Sequence, residues 1–175
     1  QTLEFWRHLV ALSALYFEEV YKKLDVLLQP ADIKSESSYN NYLPEIVKEL
    51  EDKNLAEINQ GAKVVFLDGF TDKDGNKVPC IIQKADGGYL YATTDIAAAR
   101  YRINELKAEQ IIYVIDARQS QHLAMLFDIV NKAGWPKVDL SHVKFGMVLG
   151  PDRKPFKTRS GETIPLMSLV NEAVS

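Results

Sequence analysis

The sequence predicts an α/β fold in which a long N-terminal helix and a small antiparallel β meander precede half of a doubly wound sheet. Three observations predict it. Apolar residues recur at three- and four-residue steps from Trp6 to Leu24, the mark of an amphipathic helix. No helical period runs from Gly61 to Thr94, where turn residues separate short β-branched and aromatic runs. After that stretch, helical and short apolar segments alternate, as strand–helix crossovers require.

Taken in order, the first segment aligns Trp6, Leu9, Val10, Phe17, Val20, Tyr21 and Leu24 on one helical face, and packing is its expected role. A short extended piece, Asp25 to Leu28, leads to Pro30 and a polar loop through Asn41. Pro44 sets the next helix start, because proline suits a first turn, and that helix ends near Lys53 and Asn54. Tyr39 and Asn40 can reach a ligand from the loop or anchor the loop to the core. Strands are expected over Lys63 to Leu67, Val78 to Gln83 and Tyr89 to Ala92. Asp74-Gly75-Asn76 and Asp86-Gly87-Gly88 supply the joining turns, since these residues tolerate positive φ.

A helix over 95–107 follows, then a strand from Gln110 to Ile115, a helix from His122 to Lys132 closed by Gly134, and a strand from Val143 to Leu149. The run from Ile111 to Ile115 is of the kind buried on both faces of a parallel sheet. A final amphipathic helix begins at Pro165. The expected organisation is therefore a helical segment over 1–60, antiparallel strands over 61–94, βα crossovers over 95–150, and a basic loop with the start of the last helix over 151–175.

With 175 residues, 46% of them hydrophobic and 26% charged, the chain can bury a real core. Its net charge of -3 gives no global electrostatic footprint for nucleic acid, so any RNA contact is local or made elsewhere. Cys80 is the sole cysteine, which excludes an internal disulfide and a cysteine-rich metal site. His8, His122 and His142 are too scattered for a zinc motif. No metal site is expected, and a reducing, cytoplasmic setting fits. No apolar run spans a bilayer and no signal-peptide order opens the chain, so a membrane partner is not expected. The chain starts in mid-helix without an initiator Met, as an excised fragment would.

The most informative stretch is Gly87 to Arg102, where a strand is expected to hand over to a helix. Thr93 and Thr94 stand where an N-cap is wanted, and Asp95 falls in the expected first turn, which favours negative charge. A carboxylate at Asp95 and a phenol at Tyr91 on one strand-end mouth suit a planar cation. The alternative is that Asp95 only complements the helix dipole and Tyr91 is core. Asp116, Arg118, Gln119, Gln121 and His122 fall at the next strand end, where His122 can donate to a phosphate or ribose or serve as a cap. Further on, Lys154, Lys157 and Arg159 crowd a segment with Thr158 and Ser160. Such a loop can neutralise phosphates or be merely solvated.

These motifs, GGYLYATTDIAAARYR, IIYVIDARQSQHL, HVKFGMVLG and KPFKTRSGETIPL, stand in an order and at spacings that resemble the second half of an arginyl-tRNA synthetase catalytic domain. ESSYNNYLPEIV and GAKVVFLDGF extend the resemblance over nearly the whole chain. It implies the C-terminal half of a Rossmann-type class I synthetase domain, which activates L-arginine with ATP and esterifies it to tRNA(Arg). By that resemblance Tyr91 and Asp95 hold the arginine guanidinium, Gln119 contacts the amino acid, and Met147 and Val148 receive the adenine of ATP, while His122 is assigned to ATP by its strand-end position alone. The basic segment, with Lys154, Lys157, Thr158 and Arg159, matches the mobile KMSKS-type loop that stabilises departing pyrophosphate. ATP enters as a substrate accompanied by Mg2+, with no tightly bound cofactor, and a monomer is expected.

Two departures from the family pattern stand out. Thr158 occupies the place of the second lysine of KMSKS, and the HIGH motif is absent from this stretch. The chain alone is accordingly expected not to form arginyl-adenylate, and arginine-dependent ATP–pyrophosphate exchange measures this. The alternatives are a non-catalytic nucleotide- or arginine-binding module of the same fold, and a structural or tRNA-docking module.

Overall fold

The computed structural model describes residues 2–146, Leu149 and 166–174. They fall into two compact units, one made of residues 2–33 with Leu149 and 166–174 and the other of 34–146. In the first unit, α1 spans Thr2–Lys23 and α5 spans Leu166–Val174. The Lys23 ammonium donates to Asn171 Oδ1, and the Met167 backbone N–H donates to the Tyr16 hydroxyl at 3.5 Å. Helix α1 is long, as expected, but Val20 is its only buried residue among those described, and Phe5, Trp6, Leu9 and Phe17 stay exposed.

The second unit holds the core. Helix α2, Leu43–Asp52, carries Pro44 in its first turn and buries Leu43, Ile46, Val47 and Leu50. Asn54, at φ 56°, ends it in the left-handed conformation that asparagine tolerates better than most residues. Tyr39 is buried in the 3-10 helix Glu36–Tyr42 that leads into α2 and meets Tyr101 edge-on with ring centroids 5.9 Å apart, so it anchors this segment.

Strands β1 (Glu57–Asn59), β2 (Ala62–Val65) and β3 (Cys80–Gln83) form an antiparallel sheet in that order. β1 is not among the expected strands. It is made by the two-residue turn Gln60-Gly61, whose positive φ values of 48° and 80° match the twist of a tight hairpin. The expected strand from Tyr89 to Ala92 is replaced by a single bridge between Gln83 and Tyr89, because helix α3 begins at Tyr91 and runs to Asn104. Helical packing overrides the β-like composition there. Ala92, Thr93, Ile96, Ala97, Ala99 and Ile103 are all buried, and the Thr93 hydroxyl donates to the Ile82 carbonyl of β3 at 2.5 Å.

This bond pins the first turn of α3 to the sheet. Thr93→Val keeps the shape and removes the donor, and should lower the unfolding free energy by about 1–2 kcal/mol, read as a shift in denaturant midpoint. An unchanged midpoint would leave the anchoring to apolar packing alone.

Beyond α3, β4 (Gln110–Asp116), α4 (Ser120–Lys132) and β5 (Asp139–Phe145) form one βαβ crossover. β4 and β5 are parallel, in register from Gln110 opposite Asp139 to Asp116 opposite Phe145. Gly134, at φ 68°, closes α4 as expected. β5 starts four residues before the expected Val143, since pairing with β4 recruits its polar N-terminal half. Among the described residues β4 is covered on one face only, not on both as its apolar run suggested. Ile111 and Tyr113 are buried, whereas Ile112 and Val114 are exposed. Leu123, Leu126, Ile129 and Val130 of α4 complete the core with α2 and α3.

Candidate functional site

Helices α3 and α4 and the strand β3 bound a cavity of about 380 Å³ in the second unit. Val78, Pro79, Cys80, Ile81, Leu90, Ala92 and Met125 give it an apolar wall, and Tyr91, Arg118, Gln119, Gln121 and His122 give it a polar rim. Such a mixture suits an elongated ligand with an alkyl stem and polar ends. Burial pushes the Cys80 thiol up to about 11, which keeps it an uncharged part of the wall.

The start of α3 at Tyr91 changes the basis on which Tyr91 and Asp95 are paired. They are four residues apart on one helix, hence neighbours on one face, not residues on either side of a strand–helix junction. Leu90 is the N-cap, the first turn holds no acidic residue, and Asp95 lies beyond it. Thr93 and Thr94 are inside the helix and cap nothing. Asp95 is therefore no helix-dipole device, and Tyr91, 61% exposed, is no core residue.

What faces Asp95 is His122. Its Nε2 lies 2.6 Å from Asp95 Oδ2, and its ring meets the Tyr91 ring edge-on at 4.8 Å between centroids. The Asp95 side chain is 36% exposed and that of His122 only 15%. A carboxylate can only accept, so the proton of this bond sits on His122 Nε2. Asp95 itself is not part of the cavity wall, which Tyr91, Gln119 and His122 share. Among the described residues Asp95 Oδ1 has no hydrogen bond.

The strand end after β4 is built by Asp116. Its carboxylate accepts from the Arg118 backbone N–H at 2.8 Å and from the Arg118 guanidinium at 3.0 and 2.8 Å. The side-chain bond from Arg118 holds the Asp116 carboxyl below the usual carboxylate range. This cap folds residues 117–119 into a 3-10 turn that delivers Gln119 to the cavity rim. Sequence reasoning placed Gln119 at this strand end but missed the apolar wall from Val78 to Ile81, which comes from the other sheet and has no local motif.

Lys154, Lys157, Thr158 and Arg159, and likewise Met147 and Val148, lie outside the described residues. Among the described residues no group of three or more His, Cys, Asp or Glu could hold a metal ion, and no helix is long and apolar enough to cross a membrane.

Residues 1–175 match the family model described as tRNA synthetases class I (R), catalytic domain. The chain is 49% identical over 175 residues to the arginine–tRNA ligase of Thermobifida fusca, covering 99% of this chain and 30% of that protein. It is 50% identical over 175 residues to the arginine–tRNA ligase of Chromobacterium violaceum, with 99% and 31% covered. The crystal structure of the arginyl-tRNA synthetase of Plasmodium falciparum superimposes with a TM-score of 0.77 at 31% identity, over 95% of this chain and 26% of that one. The chain thus spans about 30% of the length of the curated relatives it matches.

Proposed function

The chain belongs to the catalytic-domain family of class I (R) tRNA synthetases, and on that premise we propose that it is the part of an arginine–tRNA ligase that carries the arginine pocket. One observation carries the reading. Tyr91, Gln119 and His122 share one cavity, with the Asp95 carboxylate bonded to His122 and one helical turn from Tyr91. A guanidinium is planar, always charged and rich in donors, so an anionic oxygen beside a phenol oxygen suits it better than it suits any neutral amino acid. The apolar wall takes the three-methylene stem of arginine, and Gln119 meets its polar backbone end.

In the whole ligase the arginine carboxylate attacks the α-phosphate of ATP and pyrophosphate leaves, and the arginyl group then passes from the adenylate to a hydroxyl of tRNA(Arg) with release of AMP. Met147 and Val148 are assigned to adenine on the strength of the resemblance. Lys154, Lys157, Thr158 and Arg159 are assigned to the pyrophosphate, whose growing charge cationic side chains stabilise, with Mg2+ accompanying ATP.

Calorimetric titration of the purified chain with L-arginine and with L-citrulline, its uncharged analogue, tests the pocket. Arginine should bind at least about tenfold more tightly, as expected when a single charge-assisted hydrogen bond is lost. Equal affinities would remove the guanidinium site.

A further inference from the structure

The strand-end position of His122 suggests a phosphate or ribose partner, yet its ring is committed elsewhere. It bonds to Asp95 at 2.6 Å and packs on Tyr91 at 4.8 Å, the two groups given to the guanidinium. Resting on the arginine-pocket reading, we propose that His122 is a positioning residue for arginine, a clamp that fixes Asp95 and Tyr91 relative to each other. Asp95 and Tyr91 come from α3 and His122 from α4, so the clamp ties the two helices together at the cavity rim.

The geometry gives each atom of the clamp a task. Nε2–H donates to Asp95 Oδ2 and holds the carboxylate in one rotamer. Oδ1, which has no partner among the described residues, is left for an incoming cation. The edge-on ring contact restrains the exposed Tyr91 phenol, which would otherwise lose more side-chain freedom on binding.

The clamp predicts selective effects. His122→Leu removes the donor, and His122→Gln keeps an amide donor that can reach a carboxylate. L-Arginine and L-citrulline are titrated into parent and variants, and the imidazole 15N resonances of the parent and Asp95→Asn are compared. The expected result has three parts. His122→Leu weakens arginine about tenfold while citrulline changes less than about twofold, the loss of one charge-assisted bond. His122→Gln recovers most of the arginine affinity. Asp95→Asn moves the Nε2 resonance.

A merely structural histidine would weaken both ligands together and show no recovery in His122→Gln, and either result overturns the clamp while leaving the arginine pocket standing. An Nε2 resonance indifferent to Asp95→Asn also overturns it. If the parent takes arginine and citrulline alike, the pocket itself is wrong, and the role of His122 in it falls too.

Discussion

Replacing Asp95 by Asn should weaken L-arginine binding by roughly 10- to 150-fold, because charge-assisted hydrogen bonds to a carboxylate are worth about 1.5–3 kcal/mol. Asn keeps the volume and can still meet His122, so the loss reports charge and not a collapsed site. L-Citrulline, with no charge to lose, should bind parent and variant within a factor of about three. Titration calorimetry on both proteins measures this. An Asp95→Asn variant that binds arginine as the parent does would assign the guanidinium to another partner. Because Asp95 lies outside the first turn of α3 and its described partner is His122 on another helix, no helix-capping defect should accompany the substitution.

The second large effect is on stability and lies at Glu49. Its Oε1 accepts from Trp135 Nε1 at 2.6 Å and faces Lys53 Nζ at 2.8 Å, and its Oε2 faces Arg100 Nε at 2.8 Å. Arg100 also reaches Glu45 at 2.7 Å. One carboxylate therefore joins α2, α3 and the segment after α4. Glu49 Oε2 and Arg100 Nε make no aligned hydrogen bond and are buried atoms, so what they have is each other as an ion contact.

Glu49→Ala should cost about 2–4 kcal/mol, somewhat under the ~3–5 of a fully buried pair since both side chains retain some solvent contact. Burial pushes the Glu49 carboxyl up, but hydrogen bonds from Lys53 and Trp135 and the charges of Arg100 and Lys53 outweigh it and hold the group below its ordinary value. A carboxyl so lowered adds stability that is complete above the ordinary glutamate range and is lost as pH falls through the folded-state value. Denaturant midpoints should therefore fall on acidification in the parent and fall less in Glu49→Ala. A cost under about 1 kcal/mol, or identical acid slopes, would make the cluster a surface feature.

Much of the second unit was readable because its signals are local. Pro44 and Asn54 bracket α2, Gly134 ends α4, and the apolar run of β4 calls for a parallel partner. Where the sequence misled, long-range packing decided. Tyr91 to Thr94 has strand composition, yet the buried alanines downstream and the bond from Thr93 to β3 draw it into the helix. β1 has almost no apolar content and exists because Gln60-Gly61 folds it onto β2. The strand-end rule pointed to Gln119 and His122 after β4, whereas Tyr91 reaches the same cavity from the first turn of a helix and not from the strand end its composition suggested. That rule did not reveal that Asp95 turns to His122, because the two are 27 residues apart and no spacing rule connects them.

The central claim is that arginine seats its guanidinium between Tyr91 and Asp95, and two-dimensional amide NMR of the chain during L-arginine addition tests it most directly. Saturable shifts should concentrate at Tyr91, Asp95, Gln119 and His122, and should vanish in Asp95→Asn. Shifts centred instead on the acidic face from Glu45 to Asp52, or a pattern indifferent to Asp95→Asn, would contradict it.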